Sequence, residues 1–235
     1  KKNDPRVCDI DIIDFKGYII NENDLELPHP RCHNRNFVLY PIKELQPNWT
    51  HPILKKNVDF VEKARSIIGD DAELMLDCWM ALDVEYTVQL AEHLKLCRLR
   101  WMEECLLSED FLGHVSLRKA LPWQTLTTGE HWYTHFPFQW AVSNDVVDIL
   151  QPDINWVGGL TTCLKIAAIA ESAGKKVMLH AGGRNPYGQH FSHALSCVPW
   201  LEYFVRGAPG VPLEETIDVR RQTQTQTQTD RQTQI

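Results

Sequence analysis

Six polar residues recur through the middle of this 235-residue chain at a nearly constant interval: Asp77, Glu103, Glu130, Asp153, His180 and Glu202. Their separations are 26, 27, 23, 27 and 22 residues. Each stands at or near the end of a strand-like run, in order "ELMLDCW", "LRWMEEC", "WQTLTTGEH", "VVDILQPD", "KKVMLHAGG" and "PWLEYFV". One strand and one returning helix fill each interval, so a βα repeat carries all six groups to the same edge of a parallel sheet. The run "LRWMEECLL" ends in two acids, Glu103 and Glu104, with no Lys or Arg beside them. Ionised carboxylates are costly to bury unless they are paired or bind a metal. Converging acids repel one another unless a cation joins them, and oxygen-only ligation suits a hard dication such as Mg²⁺. Asp77, Glu103 and Glu130 are therefore the candidate metal ligands. The competing role for an acid at a strand end is to cap the following helix, and three such acids in consecutive units make that role alone a poorer account. Strict alternation turns Glu104 away from the barrel interior, as a supporting or surface acid.

Asp153 and His180 end successive strands, and neighbouring parallel strands lie about 4.8 Å apart. A carboxylate–imidazole hydrogen bond at that spacing fixes the tautomer and raises the basicity of the ring, as a general base requires. His131 follows Glu130 directly and can reach the same pocket as an acid or a hydrogen-bond donor. His190 and His193 read as surface or loop residues.

The elements that must position these groups are visible in the patterning. From about Asn57 to Glu215 strand-like runs alternate with helical ones: "VDFVEKARSIIG", "DVEYTVQLAEHLK" with Asp83 as N-cap, "EDFLGHVSLRKAL", "HFPFQWAVSN" and "LTTCLKIAAIAESAG" with Gly174 as its stop. That alternation predicts an α/β fold, a partial (β/α) barrel of about six strands. The first 55 or so residues differ. "CDIDIIDFKGYII" reads as strands around a turn at Lys16-Gly17, Phe37 to Tyr40 as a short β-like run, and "LQPNWTHPILKKN" as a loop. Asp9 and Asp11 share one strand face, about 6.6 Å apart. The last stretch, "RRQTQTQTQTDRQTQI", holds one aliphatic residue and is expected to be disordered. Repeats of the tetranucleotide CAGA encode Gln-Thr-Asp-Arg in any frame, and "QTDRQT" at Gln228 to Thr233 fits a translated microsatellite; a Gln/Thr-rich interaction tail is the alternative. The expected domains are 1–56, 57–218 and the tail 219–235.

Bulk properties exclude some classes of function. A net charge of −7 argues against nucleic acid or an anionic membrane as the main partner. No apolar run approaches the roughly 20 residues of a membrane span, and the first residues lack the apolar core of a signal peptide. Seven cysteines without a C-x-x-C fit reduced thiols in a cytoplasmic setting.

The segments "LMLDCWMALD", "RWMEEC", "TTGEHW", "ILQPDINWVGGLTTCLKIAAIAESAG", "VMLHAGG" and "NPYGQHF…PWLEYFV…PGVPLEE" closely resemble the barrel domain of the enolase superfamily. Within it they are most similar to the mandelate-racemase-type acid-sugar dehydratases, in particular the L-rhamnonate dehydratase family. The resemblance covers about Asn57 to Glu215. It implies Asp77, Glu103 and Glu130 as Mg²⁺ ligands, an Asp153–His180 dyad as base, Glu202 near a developing enolate oxygen, and His180 or His131 as proton donor. It implies a hydro-lyase that takes a small sugar acid to a 2-keto-3-deoxy acid. Trp79, Trp132, Trp156 and Tyr187 are candidates for the wall of the sugar pocket, with core packing the commoner role for any one of them. By the same pattern the first two barrel strands and a separate capping domain are missing, which leaves two open sheet edges.

The amino-terminal "NDPRVCDIDIIDF", "LPHPRCHNRNFVLYPI" and "NWTHP" resemble the C-terminal half of the hydroxymethyldihydropterin pyrophosphokinase family of folate biosynthesis. That resemblance implies Asp9 and Asp11 as ligands of a Mg²⁺ bound with ATP, and Arg6, His29 and Arg35 facing phosphates. Three readings stand at this point: a sugar-acid dehydratase fragment, a pyrophosphokinase fragment, or an inactive chimera. A homo-oligomer is left open.

Overall fold

The computed structural model describes residues 11–22, 25–32 and 35–203. They fall within two compact units, one drawn from Lys1–Ala72 with Glu92–Arg98 and the other from Glu73–Ala91 with Leu99–Ile235. The residue 219–235 tail, like Arg6 and Asp9, lies outside the described residues.

In the first unit a turn at Lys16 and Gly17, both at positive φ, precedes an antiparallel pair of short strands, β1 (Ile20–Glu22) and β2 (Leu25–Leu27), with Ile20 opposite Leu27. The predicted β-like run at Phe37 to Tyr40 is instead the start of a helix, α1 (Asn36–Leu45). A run of four apolar residues does not distinguish strand from helix by periodicity. The burial does: Val38, Leu39 and Ile42 are half-buried while Phe37 and Tyr40 are exposed, the i, i+1, i+4 pattern of one helical face. The predicted loop at "HPILKKN" is also helical. Helix α2 (Pro52–Ile68) begins on Pro52, whose missing N–H costs nothing in a first turn. It stops at Gly69, at φ 74°. Arg65 closes that end by donating to the carbonyls of Gly69 (2.8 Å), Ala72 (2.7 Å) and Cys97 (2.9 Å).

The second unit is a five-stranded parallel sheet in chain order: β3 (Leu76–Asp77), β4 (Met102–Glu103), β5 (Leu126–Thr128), β6 (Ile149–Leu150) and β7 (Lys176–Val177). Helices α3 (Val84–His93), α4 (Phe111–Ala120), α5 (Phe136–Ser143) and α6 (Gly159–Ser172) return the chain between strands, and α7 (Pro186–Ala194) follows β7. Asp83 caps α3 as expected, accepting from Tyr86 N–H at 2.8 Å, and Asp110 caps α4 through Gly113 N–H at 2.8 Å. The sixth expected strand, "PWLEYFV", is not formed among the described residues. Pro199–Tyr203 is irregular, and Phe204 and Val205 lie outside the described part. Separate contacts, and no regular ladder, hold the segment beside β7 and its continuation: Val177 N–H donates to Cys197 O and Gly183 N–H to Glu202 O, both at 2.9 Å, and Ala181 N–H donates to the Glu202 carboxylate.

Alternation along the strands sorts side chains onto two faces. Leu150, Val177 and Leu179 enter a core with Phe138, Ala141, Ile166, Ala170 and Phe191 from α5, α6 and α7. Ile149 and Met178 face the opposite way and meet Trp101 and Trp200. Residues an even number of places from these, Glu103, Gln151, Asp153 and His180, belong by the period of two to that second, inner face.

Candidate active site

The ends of β3 to β7 open into one pocket of about 360 Å³, lined by Asp77, Trp79, Glu130, His131, Asp153, Trp156, His180 and Glu202. Strand register brings the first groups together: Asp77 lies opposite Glu103 on the neighbouring strand. An isolated parallel bridge joins Asp153 to His180 past the ends of β6 and β7. Glu130 is delivered by the turn after β5. Gly129 in that turn has φ 134°, and a Cβ there would sit 2.6 Å from the Phe138 ring, so only glycine brings the chain this close to α5.

His180 Nδ1 lies 2.8 Å from Asp153 Oδ2, and its Nε2 faces Glu130 Oε2 at 3.4 Å. Asp153 is itself fixed by Asn155 N–H at 2.7 Å. Burial disfavours the charged imidazole, but the hydrogen bond to Asp153 and the charges of Glu130 and Glu202 outweigh it and raise His180 to about 9. Burial likewise works against the Asp153 carboxylate, and the His180 hydrogen bond with the Asn155 N–H overcomes it, leaving Asp153 below its ordinary value.

The acids facing this pair are in a different state. Glu103 is 7% exposed and accepts from Trp101 Nε1 at 3.1 Å; burial pushes it up. Burial raises Glu130 to about 7, against the opposing pull of His180. Glu104, expected to face away, is 1% exposed and turned into the site. Its φ is 43°, which breaks the strand's alternation, and its Oε2 lies 2.8 Å from His131 Nδ1. Its other oxygen, Oε1, is buried with no hydrogen-bond partner, and burial together with the charges of Glu103 and Asp77 raises it to about 7. The sequence signal was the unneutralised pair of acids itself; nothing in the alternation foretold a left-handed residue.

This donor set fits a divalent cation. Asp77, Glu130, Asp153 and Glu202 face one pocket that no Lys or Arg lines; burial raises Glu130 and, next to it, the buried Glu103 and Glu104, and Glu104 Oε1 is buried with no partner. Among the described residues, the group whose ligand atoms all lie within 4.8 Å of one another is Glu104, Glu130 and His131. Asp77 and Glu103 are not in that tight group, and Asp77 Oδ1 accepts from Trp79 N–H at 2.9 Å. Of the predicted pocket aromatics, Trp79 and Trp156 line the cavity. Trp132 does not: it is 3% exposed in the core, donating to Ser108 O at 2.8 Å. Tyr187 is exposed on α7 and donates to Asn155 Oδ1 at 3.3 Å. His190 and His193 are exposed on α7.

In the first unit Asp11 is 57% exposed, 3.7 Å from Arg35 Nη1 and 3.7 Å from His29 Nε2. The expected acid and two of the expected basic residues thus meet, while Asp9 and Arg6 lie outside the described residues.

Comparison with known proteins adds the following. A family model described as enolase C-terminal domain-like matches residues 39–227, and one described as 7,8-dihydro-6-hydroxymethylpterin-pyrophosphokinase matches residues 1–47. The chain is 40% identical over 153 residues to L-rhamnonate dehydratase of Saccharopolyspora erythraea, covering 65% of this chain and 39% of that protein. It is similar to the crystal structure of rhamnonate dehydratase from Gibberella zeae complexed with Mg, with a TM-score of 0.64, 38% identity, and coverage of 68% of this chain and 40% of that one. L-talarate dehydratase from a Polaromonas species, complexed with Mg and L-glucarate, gives a TM-score of 0.58 at 30% identity, covering 64% of this chain and 42% of that one. The chain thus spans about two fifths of the length of these relatives. Among the described residues, no helix is long and apolar enough to cross a membrane.

Proposed function

The chain belongs to the enolase C-terminal domain-like family, and from that premise we propose that its βα unit serves Mg²⁺-dependent dehydration of a small sugar acid of the L-rhamnonate type to a 2-keto-3-deoxy acid. Asp77, Glu103 and Glu130 would hold the ion, since an all-oxygen set suits Mg²⁺ better than one that includes His131 Nδ1, and that nitrogen already has Glu104 as its partner. When bound, Mg²⁺ supplies the positive charge that offsets the buried carboxylates and favours the enediolate over the substrate acid. His180 Nε2 points into the pocket because Asp153 holds Nδ1. It takes the proton from the carbon next to the substrate carboxylate. His180 or His131 then gives a proton to the hydroxyl one carbon further on, which leaves as water. Glu202 lines the same wall, near the developing enolate oxygen. Trp79 and Trp156 cover apolar faces of the sugar.

The Asp153–His180 pair, 2.8 Å apart at adjacent strand ends and facing Glu130, carries this reading. The test is exchange of the 2-proton of L-rhamnonate in D₂O with Mg²⁺, followed by NMR. His180→Asn should abolish exchange. Equal exchange by the variant, or none by the wild-type chain, rejects the assignment.

A second reading, ATP-dependent pyrophosphoryl transfer to hydroxymethyldihydropterin by the amino-terminal segment, is favoured by the match over residues 1–47 and by the cluster of Asp11, His29 and Arg35. Its sign is AMP formation that Asp11→Ala removes. Silence in both assays identifies an inactive chimera in which the site residues persist without a reaction.

A further inference from the structure

Two cysteines stand side by side where β3 and β4 leave the sheet. Cys78 follows Asp77, and Cys105 follows Glu103 and Glu104. The Cys105 thiol donates to Cys78 Sγ, and the two sulfurs are 4.0 Å apart. This juxtaposition is set by the main chain. Beyond the strand ends, Cys78 N–H donates to Glu103 O at 2.9 Å, Met80 N–H to Glu104 O, and Leu82 N–H to Cys105 O at 3.0 Å. The ladder thus continues past the sheet and holds the two cysteines in register. Cys78 is half-buried and Cys105 is 5% exposed, so an oxidant reaches Cys78 first. A disulfide has an S–S length of about 2.04 Å, so closure requires an approach of about 2 Å, a distance on the scale of side-chain torsional change.

We propose that Cys78 and Cys105 form a peroxide-oxidisable dithiol site that closes to a disulfide between the ends of β3 and β4. Hydrogen peroxide transfers one oxygen to Cys78, giving a sulfenic acid, and its other oxygen leaves as water. The Cys105 sulfur then attacks the Cys78 sulfur. The S–S bond forms, the S–O bond breaks, and the hydroxyl departs with the Cys105 proton as a second water. Two thiols and one peroxide become one disulfide and two waters, with sulfur oxidised and peroxide oxygen reduced. A dithiol reductant reverses the change. The tethered segment carries Asp77 and Trp79, both on the pocket wall, and Trp79 and Met80 hold left-handed backbone at φ 43° and 61°. Oxidation therefore fastens one wall of the pocket to the continuation of β4, whatever reaction the pocket performs.

The test treats the full chain with hydrogen peroxide, blocks remaining thiols, digests, and maps masses. The expected product is a Cys78–Cys105 peptide pair lighter by two hydrogen atoms and separated again by dithiothreitol. With dimedone present to trap sulfenic acid, Cys105→Ser should label at Cys78 several-fold more than wild type, where Cys105 resolves the intermediate. Cys78→Ser, a change at a half-buried position, should lose both the linked pair and the label. Equal Cys78 labelling in wild type and Cys105→Ser overturns the proposal. So does pairing scattered over the seven cysteines, or label appearing at Cys105 in Cys78→Ser, which would make the buried thiol the first target.

Discussion

Replacing Glu104 with Gln should stabilise the metal-free protein, and only on the alkaline side. Burial, helped by the charges of Glu103 and Asp77, raises Glu104 from its ordinary 4.5 to about 7. One pKa unit corresponds to about 1.36 kcal/mol, so holding this carboxylate ionised in the folded chain costs about 3 kcal/mol. The sign follows from proton release. For an acid whose folded value is raised, the unfolded chain loses its proton first as pH climbs, so folded stability falls between the two values and levels off above the higher one. Gln keeps the shape of the side chain and can pair with His131 Nδ1, but it carries no proton to lose. In chelator-treated samples the variant and wild type should therefore unfold alike below about pH 4.5 and diverge until about pH 7. Above that, Glu104→Gln should be more stable by about 3 kcal/mol. With a urea dependence of about 1–3 kcal/mol per molar, this is a midpoint shift of about 1–3 M. Urea unfolding followed by circular dichroism across that range measures it. Parallel pH profiles for the two proteins would show that Glu104 is not the buried, strained acid described above.

Asp153→Asn removes the hydrogen bond that does most to hold His180 at about 9. The imidazole should titrate at lower pH by proton NMR, and an unmoved titration would detach Asp153 from the base. Phe138 is fully buried, with its ring 5.2 Å from Trp132, so Phe138→Ala should cost about 3–5 kcal/mol. Thermal or urea unfolding tests this, and a loss near zero would mean that the core around α5 is not packed as described.

Much of the site was legible because its logic is periodic. Asp77, Glu130, Asp153 and His180 reach one pocket because each stands at or just past the end of a strand in a βα repeat, and the repeat length is written in the chain; Glu202 joins them from an irregular segment held against Ala181 and Gly183. The Asp153–His180 pair followed from neighbouring strand ends alone. The same reasoning failed where local backbone broke the period. Glu104 was sent outward by alternation and is brought inward by a left-handed residue. Phe37 to Tyr40 carried strand-forming side chains and became a helix because partners on one side bury Val38, Leu39 and Ile42. "PWLEYFV" had the composition of a strand, yet among the described residues Pro199–Tyr203 is irregular, with Glu202 held singly by Ala181 and Gly183.

Composition and spacing alone established an α/β repeat, the polar group at each strand end, and the need for something cationic among unneutralised acids. These rest on short-range periodicity, which a linear chain records directly. Folding in three dimensions settled which of two adjacent acids faces the imidazoles, how deeply each carboxylate is desolvated, and that the Cys78 and Cys105 sulfurs meet. Those depend on distances between residues far apart in the chain and on single backbone torsions, and neither leaves a periodic trace among the amino acids.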